Sequence, residues 1–412
     1  MPAIDPARLL ADLRALRAIG AQGRGVVRPA FSPADMAARR WLKGRFEEAG
    51  LEAAIDGVGN VLGRSPRAGK ALLLGSHSDT QPTGGWLDGA LGVIYALEVA
   101  RALAAEEATR ALPVDVVSFQ DEEARFVGCL GSRSLTGALA PELEQGARDK
   151  DGVALAEALS KAGLAGVPRA RLDPARHCGF LEAHIEQGPS LEDAGRRIGV
   201  VTGIVGLRGI RFVFRGQQNH AGTTMMARRR DAASALYELA HRINAEFPRV
   251  AAERSVWTMG RLRVEPNAAS IVPGYAELDL QFRDAAEAPL EAFERVAAGI
   301  VAEMNARGGV RIEAEPARAP IPPTRMDPAL RAHLERAAER HAPGKWQPMP
   351  SGAFHDAGIV SACLPAAMLF IPSIGGISHD FAEDSRDEDI VLGCRALADA
   401  AASILAEANA RR

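Results

Sequence analysis

The stretch ALLLGSHSDTQPTGGWLDG, residues 71–89, decides the fold. Its opening run ALLLGS, 71–76, is β-rich and gives way to a polar loop, and a helical pattern then extends from about 89 to 107. A second β-rich run, VDVVSF, follows at 114–119. Strand, helix and strand in succession predict an α/β sheet, whose chemistry collects at the carboxyl ends of its strands. Upstream, Ser32 and Pro33 form an N-cap and first-turn pair, and apolar spacing as far as Phe46, stopped at Gly50, predicts another helix.

Beyond residue 206 the texture changes to GIRFVFRG, a helix near 230–246, SVWTMGRLRV, YAELDLQF, a helix near 289–306 and VRIEAEP. That order, β-α-β-β-α-β, predicts a compact α+β domain of the split βαβ, ferredoxin-like kind, inserted into the first. A proline-rich seam, PARAPIPPTRMDP at 316–328, returns the chain to helix, to the apolar strand AAMLFI and to a closing helix from about 387. The expected architecture is therefore one α/β domain built from 1–206 and 322–412, interrupted by a second at 207–321. No internal repeat or low-complexity segment interrupts this reading.

Bulk properties narrow the function. A chain of 412 residues, 47% hydrophobic and 25% charged, can bury a large core and more than one domain. A net charge of −3 with scattered basic residues excludes the basic footprint of a nucleic-acid binder, so small-molecule partners are expected. No apolar run approaches the roughly 18–20 residues that span a bilayer. The N-terminal MPAIDPARLLADLRALRAIG lacks the apolar core and cleavage site of a secretory signal, so a cytoplasmic location is expected. The four cysteines, Cys129, Cys178, Cys363 and Cys394, form no CxxC pair, which suits a reducing compartment; they are expected as core thiols rather than zinc ligands.

Four segments carry candidate chemistry. In GSHSDTQPTGGWLDG, 75–89, His77 and Asp79 share one face of extended chain, so a carboxylate can hold the imidazole's second nitrogen as metal-bound histidines require. Asp88, taken alone, reads as a helix N-cap. In QDEEARFVGCLGSR, 120–133, Glu122 and Glu123 are neighbours that point apart, so one can ligate a metal while the other stays free to move a proton. The plainer reading of DEE is a solvated acidic turn. In LEAHIEQG, 181–188, His184 and Glu186 share a face and Gln187 offers an amide, although a lone strand histidine is ordinarily a core residue. In PSIGGISHDFAEDS, 372–385, His379 sits in a glycine-rich loop where histidine ordinarily has no special role. Each plain reading is reasonable alone; four strand-end loops presenting such groups together point to a metal centre. Mixed nitrogen and oxygen donors without thiolates suit zinc, manganese, cobalt or nickel rather than calcium.

With these residues in hand, a family resemblance is clear. GSHSDT with LDG eleven residues after the histidine, DEEARF with LGSR, HIEQG, GQQNHAGTTMMARRRD, PNAASIVPG, SGAFHDA and GGISH occur in this order. From about residue 10 to the C-terminus the chain resembles the N-carbamoyl-amino-acid amidohydrolase and allantoate amidohydrolase group of the M20 peptidase superfamily. His184 in HIEQG favours that branch, since aminoacylase and carboxypeptidase branches usually carry a carboxylate there.

The resemblance implies a di-metal aminopeptidase-like catalytic domain with an inserted lid and dimerisation domain. It implies one divalent ion on His77, Asp88 and His184 and a second on Asp88, Glu123 and His379, with Asp88 bridging. Glu122 takes the general base's place and Asp79 that of the partner of His77. His220, in NHAG, matches a histidine that reaches the partner subunit's site and stabilises the oxyanion, so a homodimer is implied. Arg283 matches the arginine that clamps a substrate carboxylate, although a strand arginine can also serve a surface salt bridge. Gln187 and Gly352 are expected on the substrate side, and His355 either contacts substrate or supports the site from behind. Three residues depart from the pattern: Ser270 replaces the asparagine that accompanies the arginine, a role Asn267 does not fill; Met225 replaces proline; Phe354 interrupts GAGHDA.

The implied reaction is hydrolysis of N-carbamoyl amino acids of the L series to the amino acid, carbon dioxide and ammonia. Alternatives are an allantoate, ureido or N-acyl (formyl, acetyl) amino acid substrate, or a dimeric metal-binding scaffold without turnover, which the complete donor set and intact Glu122 oppose. No GxSxG elbow or GxxxxGK[ST] phosphate loop is present.

Overall fold

The computed structural model describes residues 2–410. The chain forms two compact units: one runs through Thr202 and includes Arg325–Met349 and the residues from Ala353, and the other comprises Gly203–Thr324 with Pro350–Gly352. Gly352 is thus grouped with the interrupting segment rather than with the outer one, where the sequence reading had counted it.

The first unit is organised by four parallel strands in the order Val114–Phe119, Ala71–His77, His177–Ile185 and Ala366–Ile371. Val61–Arg64 and then Glu52–Ile55 extend the sheet antiparallel on one side, and Ile198–Ile204 extends it on the other. Every residue of Ala71–His77, Val114–Phe119 and Ala366–Ile371 is buried, so both faces of the sheet are covered, the usual state of a parallel sheet. The helix Ala90–Ala105 packs on Ala71–His77 and on the closing helix Asp387–Ala410. The helix Pro33–Glu48 starts where the sequence predicts it: the Ser32 side chain accepts from the Asp35 amide at 3.1 Å with proline in the first turn, and Gly50 leaves at φ 79°.

Parallel pairing brings the carboxyl ends of the four strands to one edge. Register fixes their level: His77 lies opposite Phe119, and His184 opposite Phe370.

The second unit is a four-stranded antiparallel sheet in the order Val256–Glu265, Tyr275–Asp284, Gly206–Arg215 and Arg311–Pro316. Along Tyr275–Asp284 every second residue is buried, the alternation of a sheet packed on one face. The helices Ala232–Glu246 and Glu287–Arg307 pack on this sheet and on each other. The chain order of the long elements is β-α-β-β-α-β. Phe247, Phe282 and Phe293 fill the space between, with Phe293 stacked on Phe247 at 4.4 Å and edge-on to Phe282 at 5.5 Å.

Among the described residues no helix is long and apolar enough to cross a membrane. All four cysteines are free; Cys129 and Cys394 are core thiols, whereas Cys178 is half-buried and Cys363 exposed, because they sit at the margins of strand and loop.

Removing the ring at the centre of the second core should be costly. Phe293→Ala is expected to destabilise the second unit by about 3–5 kcal/mol. Urea unfolding followed by circular dichroism checks this, and a loss below about 1 kcal/mol would contradict the packing just described.

Candidate metal centre

Four loops at the strand edge bring His77, Asp88, Glu123, His184 and His379 together. The Asp88 carboxylate is the common point: Oδ1 lies 3.1 Å from His184 Nε2 and 3.6 Å from His77 Nε2, and Oδ2 lies 3.2 Å from His379 Nε2. Glu123 Oε1 is 3.7 Å from the same His379 nitrogen. The residues fall into two trios, His77–Asp88–His184 and Asp88–Glu123–His379, each with donor atoms within 4.8 Å of one another. Glu122 belongs to neither trio, yet its Oε2 stands 3.8 Å from His77 Nε2.

Local backbone explains the convergence. The helix after Asp88 is N-capped by Gly89 at φ 63°, with no side-chain cap bond, so the Asp88 carboxylate is not spent on the helix. A Cβ on Gly89 would overlap the His77 imidazole, so glycine meets both the dihedral and the clearance. Asp121, Ala124, Gln187 and His379 also have positive φ, a concentration of unfavourable backbone around one site.

The imidazoles are oriented from behind. His77 Nδ1 lies 3.1 Å from the Asp79 carbonyl and His184 Nδ1 2.9 Å from the Ile185 carbonyl. A carbonyl only accepts, so in the neutral rings the proton sits on Nδ1 and Nε2 is the acceptor; that of His184 takes the Gly89 amide at 3.1 Å, beside Asp88. The expected Asp79 contact therefore uses a different atom: the backbone oxygen supports His77, while the carboxylate stands 3.8 Å away. That carboxylate accepts instead from the amides of Glu122 and Glu123, at 3.4 and 3.3 Å, with Arg39 behind it at 3.8 Å. Asp79 thus joins the His77 loop to the loop of the two glutamates.

Charge in the cluster is heavily unbalanced. Burial and the neighbouring Asp88 push Glu123 up to about 7, and burial is the chief cause that raises Glu122 well above the carboxylate range. Burial would lower His77, but Glu122, Asp88 and Asp79 outweigh it and raise it well above its ordinary value. The hydrogen bond to Asp88 lifts His379 to about 9. Carboxylates thus draw protons onto imidazoles to offset their own charge. Divalent cations would do so directly, and the structure favours them: Glu123 Oε1 is buried and takes part in no hydrogen bond, and the Nε2 atoms of three histidines gather within 3.6 Å of one carboxylate. The residues fit metal ions.

The other predicted residues are placed as follows. Gln187 donates to Asp88 Oδ2 at 3.2 Å and to Ser378 at 3.1 Å, within the metal cluster. His355 is buried, edge-on to His184 with ring centroids 4.7 Å apart, and half-buried Phe354 precedes it. In the second unit, His220 is exposed on the short strand Asn219–His220, and its Nδ1 accepts from the amides of Gly222 and Thr223 at 3.0 and 3.2 Å. The neutral ring therefore carries its proton on Nε2, which makes that nitrogen a donor. Arg283, half-buried in Tyr275–Asp284, donates to the Gly352 carbonyl at 3.0 Å and to Gln281 at 3.3 Å. Ser270 is exposed, and its carbonyl accepts from the Ala221 amide beside His220 at 3.0 Å.

Several supporting residues escaped the sequence reading. Arg39 is fully buried, bonded to Asp35 at 2.9 Å and to the carbonyls of Gly59 and Phe119 at 2.9 and 3.1 Å. Its signal was legible: Asp35, Arg39, Leu42 and Phe46 share one helical face, so a charged pair occupies apolar positions. Gln81 donates to Glu123 Oε2 at 2.8 Å. Glu383 accepts from the amides of Leu87 and Asp88, both at 3.1 Å. Both lie inside the quoted loops, but nothing in their spacing marks them.

Comparison with known proteins bears on what such a centre does. The profile of peptidase family M20/M25/M40 matches residues 73–403. The N-carbamoyl-L-amino acid amidohydrolase of Geobacillus stearothermophilus is 36% identical over 406 residues, spanning 96% of this chain and 97% of that protein. The allantoate amidohydrolase of Escherichia coli (strain K12) is 34% identical over 384 residues, spanning 91% and 92% respectively. Among solved structures, an amidase of the hydantoinase/carbamoylase family from Burkholderia phymatum superposes with a TM-score of 0.93 at 52% identity, covering 99% of each chain.

The clearance at Gly89 is directly testable. Gly89→Ala adds a methyl that meets the His77 ring and forces an L residue into left-handed backbone, itself a cost of about 1–2 kcal/mol. A lower melting temperature by calorimetry and a displaced His77 ring in a crystal structure are expected; an unmoved ring at full stability would contradict this account.

Proposed function

Since the chain belongs to peptidase family M20/M25/M40, we propose that it hydrolyses N-carbamoyl-L-amino acids to the free amino acid, carbon dioxide and ammonia. The observation that carries this reading is a free carboxylate, Glu122, standing against two metal-competent trios that share Asp88. In this reading His77, Asp88 and His184 hold one divalent ion, and Asp88, Glu123 and His379 a second, from among zinc, manganese, cobalt and nickel. The ions supply Lewis acidity toward the ureido carbonyl and toward water.

The protein's own residues do the rest. Glu122 accepts a proton from the attacking water as its oxygen joins the carbonyl carbon. It then passes that proton to the amino acid nitrogen as the carbon–nitrogen bond breaks, and the carbamate left behind decomposes to carbon dioxide and ammonia. Glu122's raised proton affinity, caused chiefly by burial, suits a group that must take a proton and return it. Asp79 keeps Glu122 and Glu123 in place through their amides.

Gly203–Thr324 serves in this reading as a lid and dimerisation domain. His220 completes the site of the partner subunit in a homodimer, its Nε2–H donated to the oxyanion; the two amides that fix its Nδ1 as an acceptor support that role. Arg283 receives the substrate carboxylate as a fork of donors, with Ser270, Gly352, Gln187 and His355 around the substrate. Free cysteines without any disulfide suit a cytoplasmic enzyme.

Allantoate is the second reading, favoured by the 34% identity to an allantoate amidohydrolase and by Ser270 and Phe354 on substrate-side positions.

Ammonia and amine release from N-carbamoyl, N-formyl and N-acetyl amino acids and from allantoate, with manganese-loaded protein, tests the proposal. Carbamoyl turnover is expected, lost on chelation and in Glu122→Gln; turnover of allantoate alone would install the second reading, and turnover of none would leave a binding scaffold. His220→Ala is expected to lower kcat by about 100–1,000-fold with little change in KM. An unchanged kcat would remove His220 from the oxyanion site.

A further inference from the structure

Glu383 has no role in the chemistry above, yet it is among the most enclosed carboxylates near the centre. We propose that Glu383 is a positioning residue that holds Asp88 and His379 in the register required for two cations to share one carboxylate. The inference rests on the di-metal reading.

Its bonds form a closed ring. Glu383 Oε1 accepts from the successive amides of Leu87 and Asp88, each at 3.1 Å, and Oε2 accepts from the Ser378 hydroxyl at 2.8 Å. Ser378 Oγ in turn accepts from Gln187 Nε2 at 3.1 Å, and the same amide donates to Asp88 Oδ2 at 3.2 Å. The path leaves Asp88 by its backbone nitrogen and returns by its carboxylate. Donor and acceptor roles are consistent at every station: the carboxylates only accept, the hydroxyl accepts once and donates once, and the amide gives its two hydrogens to Asp88 and Ser378, with His379 Nε2 a more distant neighbour at 3.4 Å.

The ring ties together the turn before Gly89, the loop after the strand His177–Ile185 that carries His184, and the loop that carries His379. Each of these three segments holds or closely follows a member of the two trios: Asp88, His184 and His379. Asp88 is therefore held at both ends, which a bridging carboxylate needs because a rotation that suits one ion spoils the other. Ser378 precedes His379, whose backbone is left-handed at φ 55°, so a fixed Ser378 also limits where that imidazole can go. Gly85 shows how close the fit is: a Cβ there would overlap the Glu383 carboxylate.

Glutamine at 383 keeps the shape and an acceptor for the two amides but places an NH2 against the Ser378 hydroxyl. Two donors then face each other, Ser378 must reverse, and the ring opens. Groups of this kind behind metal ligands typically change metal affinity by about 10–100-fold.

The test is zinc titration of the chelated, full-length protein by calorimetry, beside the melting temperature of the same metal-free samples. The parent protein is expected to take up two equivalents. Glu383→Gln should bind one of them about 10–100-fold more weakly, while its metal-free melting temperature stays near the parent's. Ser378→Ala opens the ring elsewhere, should shift affinity in the same direction, and decides the matter if Glu383→Gln does not fold. Two equivalents at parental affinity in both variants would overturn the role of Glu383 alone. Fewer than two equivalents in the parent would overturn the di-metal reading and this inference with it.

Discussion

Everything at the strand edge answers to one electrostatic constraint: Asp88, Glu122, Glu123, Asp79 and Glu383 are largely buried carboxylates gathered together, open to solvent on the side of His379. Buried charge is costly unless it is paired, and the cations beside these carboxylates are imidazoles and, behind Asp79, Arg39 and Arg28. Protons drawn onto His77, His184 and His379 relieve the crowding in part. A divalent ion held by such a trio would relieve it further, because it would replace a proton by two charges and could engage Glu123 Oε1, which has no hydrogen bond of its own. The cluster is thus best balanced with metal in it.

The scaffold makes that crowding possible. Parallel strands covered on both faces put their ends on one edge without edge-strand exposure, and the pairings of His77 with Phe119 and of His184 with Phe370 set those ends level. Within the apolar core behind the edge, a few buried polar side chains join the loops to one another. Arg39 ties the helix Pro33–Glu48 to the end of Val114–Phe119, and Asp79 ties the next loop to the one beside it. Such bonds fix angles as well as distances, which metal donors require.

The second unit obeys different physics. Its sheet is one-sided, its helices share one apolar layer, and its stability rests on an aromatic cluster that owes nothing to the metal centre. What it presents is prearranged: two backbone amides settle the proton of His220 on Nε2, and Arg283 is braced by Gly352 and Gln281.

Where the signal is local, the sequence was readable. The helix starting at Ser32, the strands Ala71–His77, Val114–Phe119 and Ala366–Ile371, and the β-α-β-β-α-β order after residue 206 all follow from periodicity and caps, which act over a few residues. The short strands Glu52–Ile55 and Val61–Arg64 were not legible, because they are four residues each and the hairpin they form is anchored to the sheet by pairing with Val114–Phe119, fifty residues and more away. By itself the sequence determined which residues could be donors: the ordered motifs around His77, Glu123, His184 and His379 identified a mixed nitrogen and oxygen set and a family. Only the tertiary structure decided what those side chains do. Asp88, a plausible helix cap on local grounds, becomes the common point of two trios because Gly89 caps the helix without it. The carboxylate of Asp79 serves two amides instead of an imidazole, and Glu383 closes a ring through three loops, because hydrogen-bond partners are chosen by proximity in space, which strand pairing sets and residue spacing does not encode.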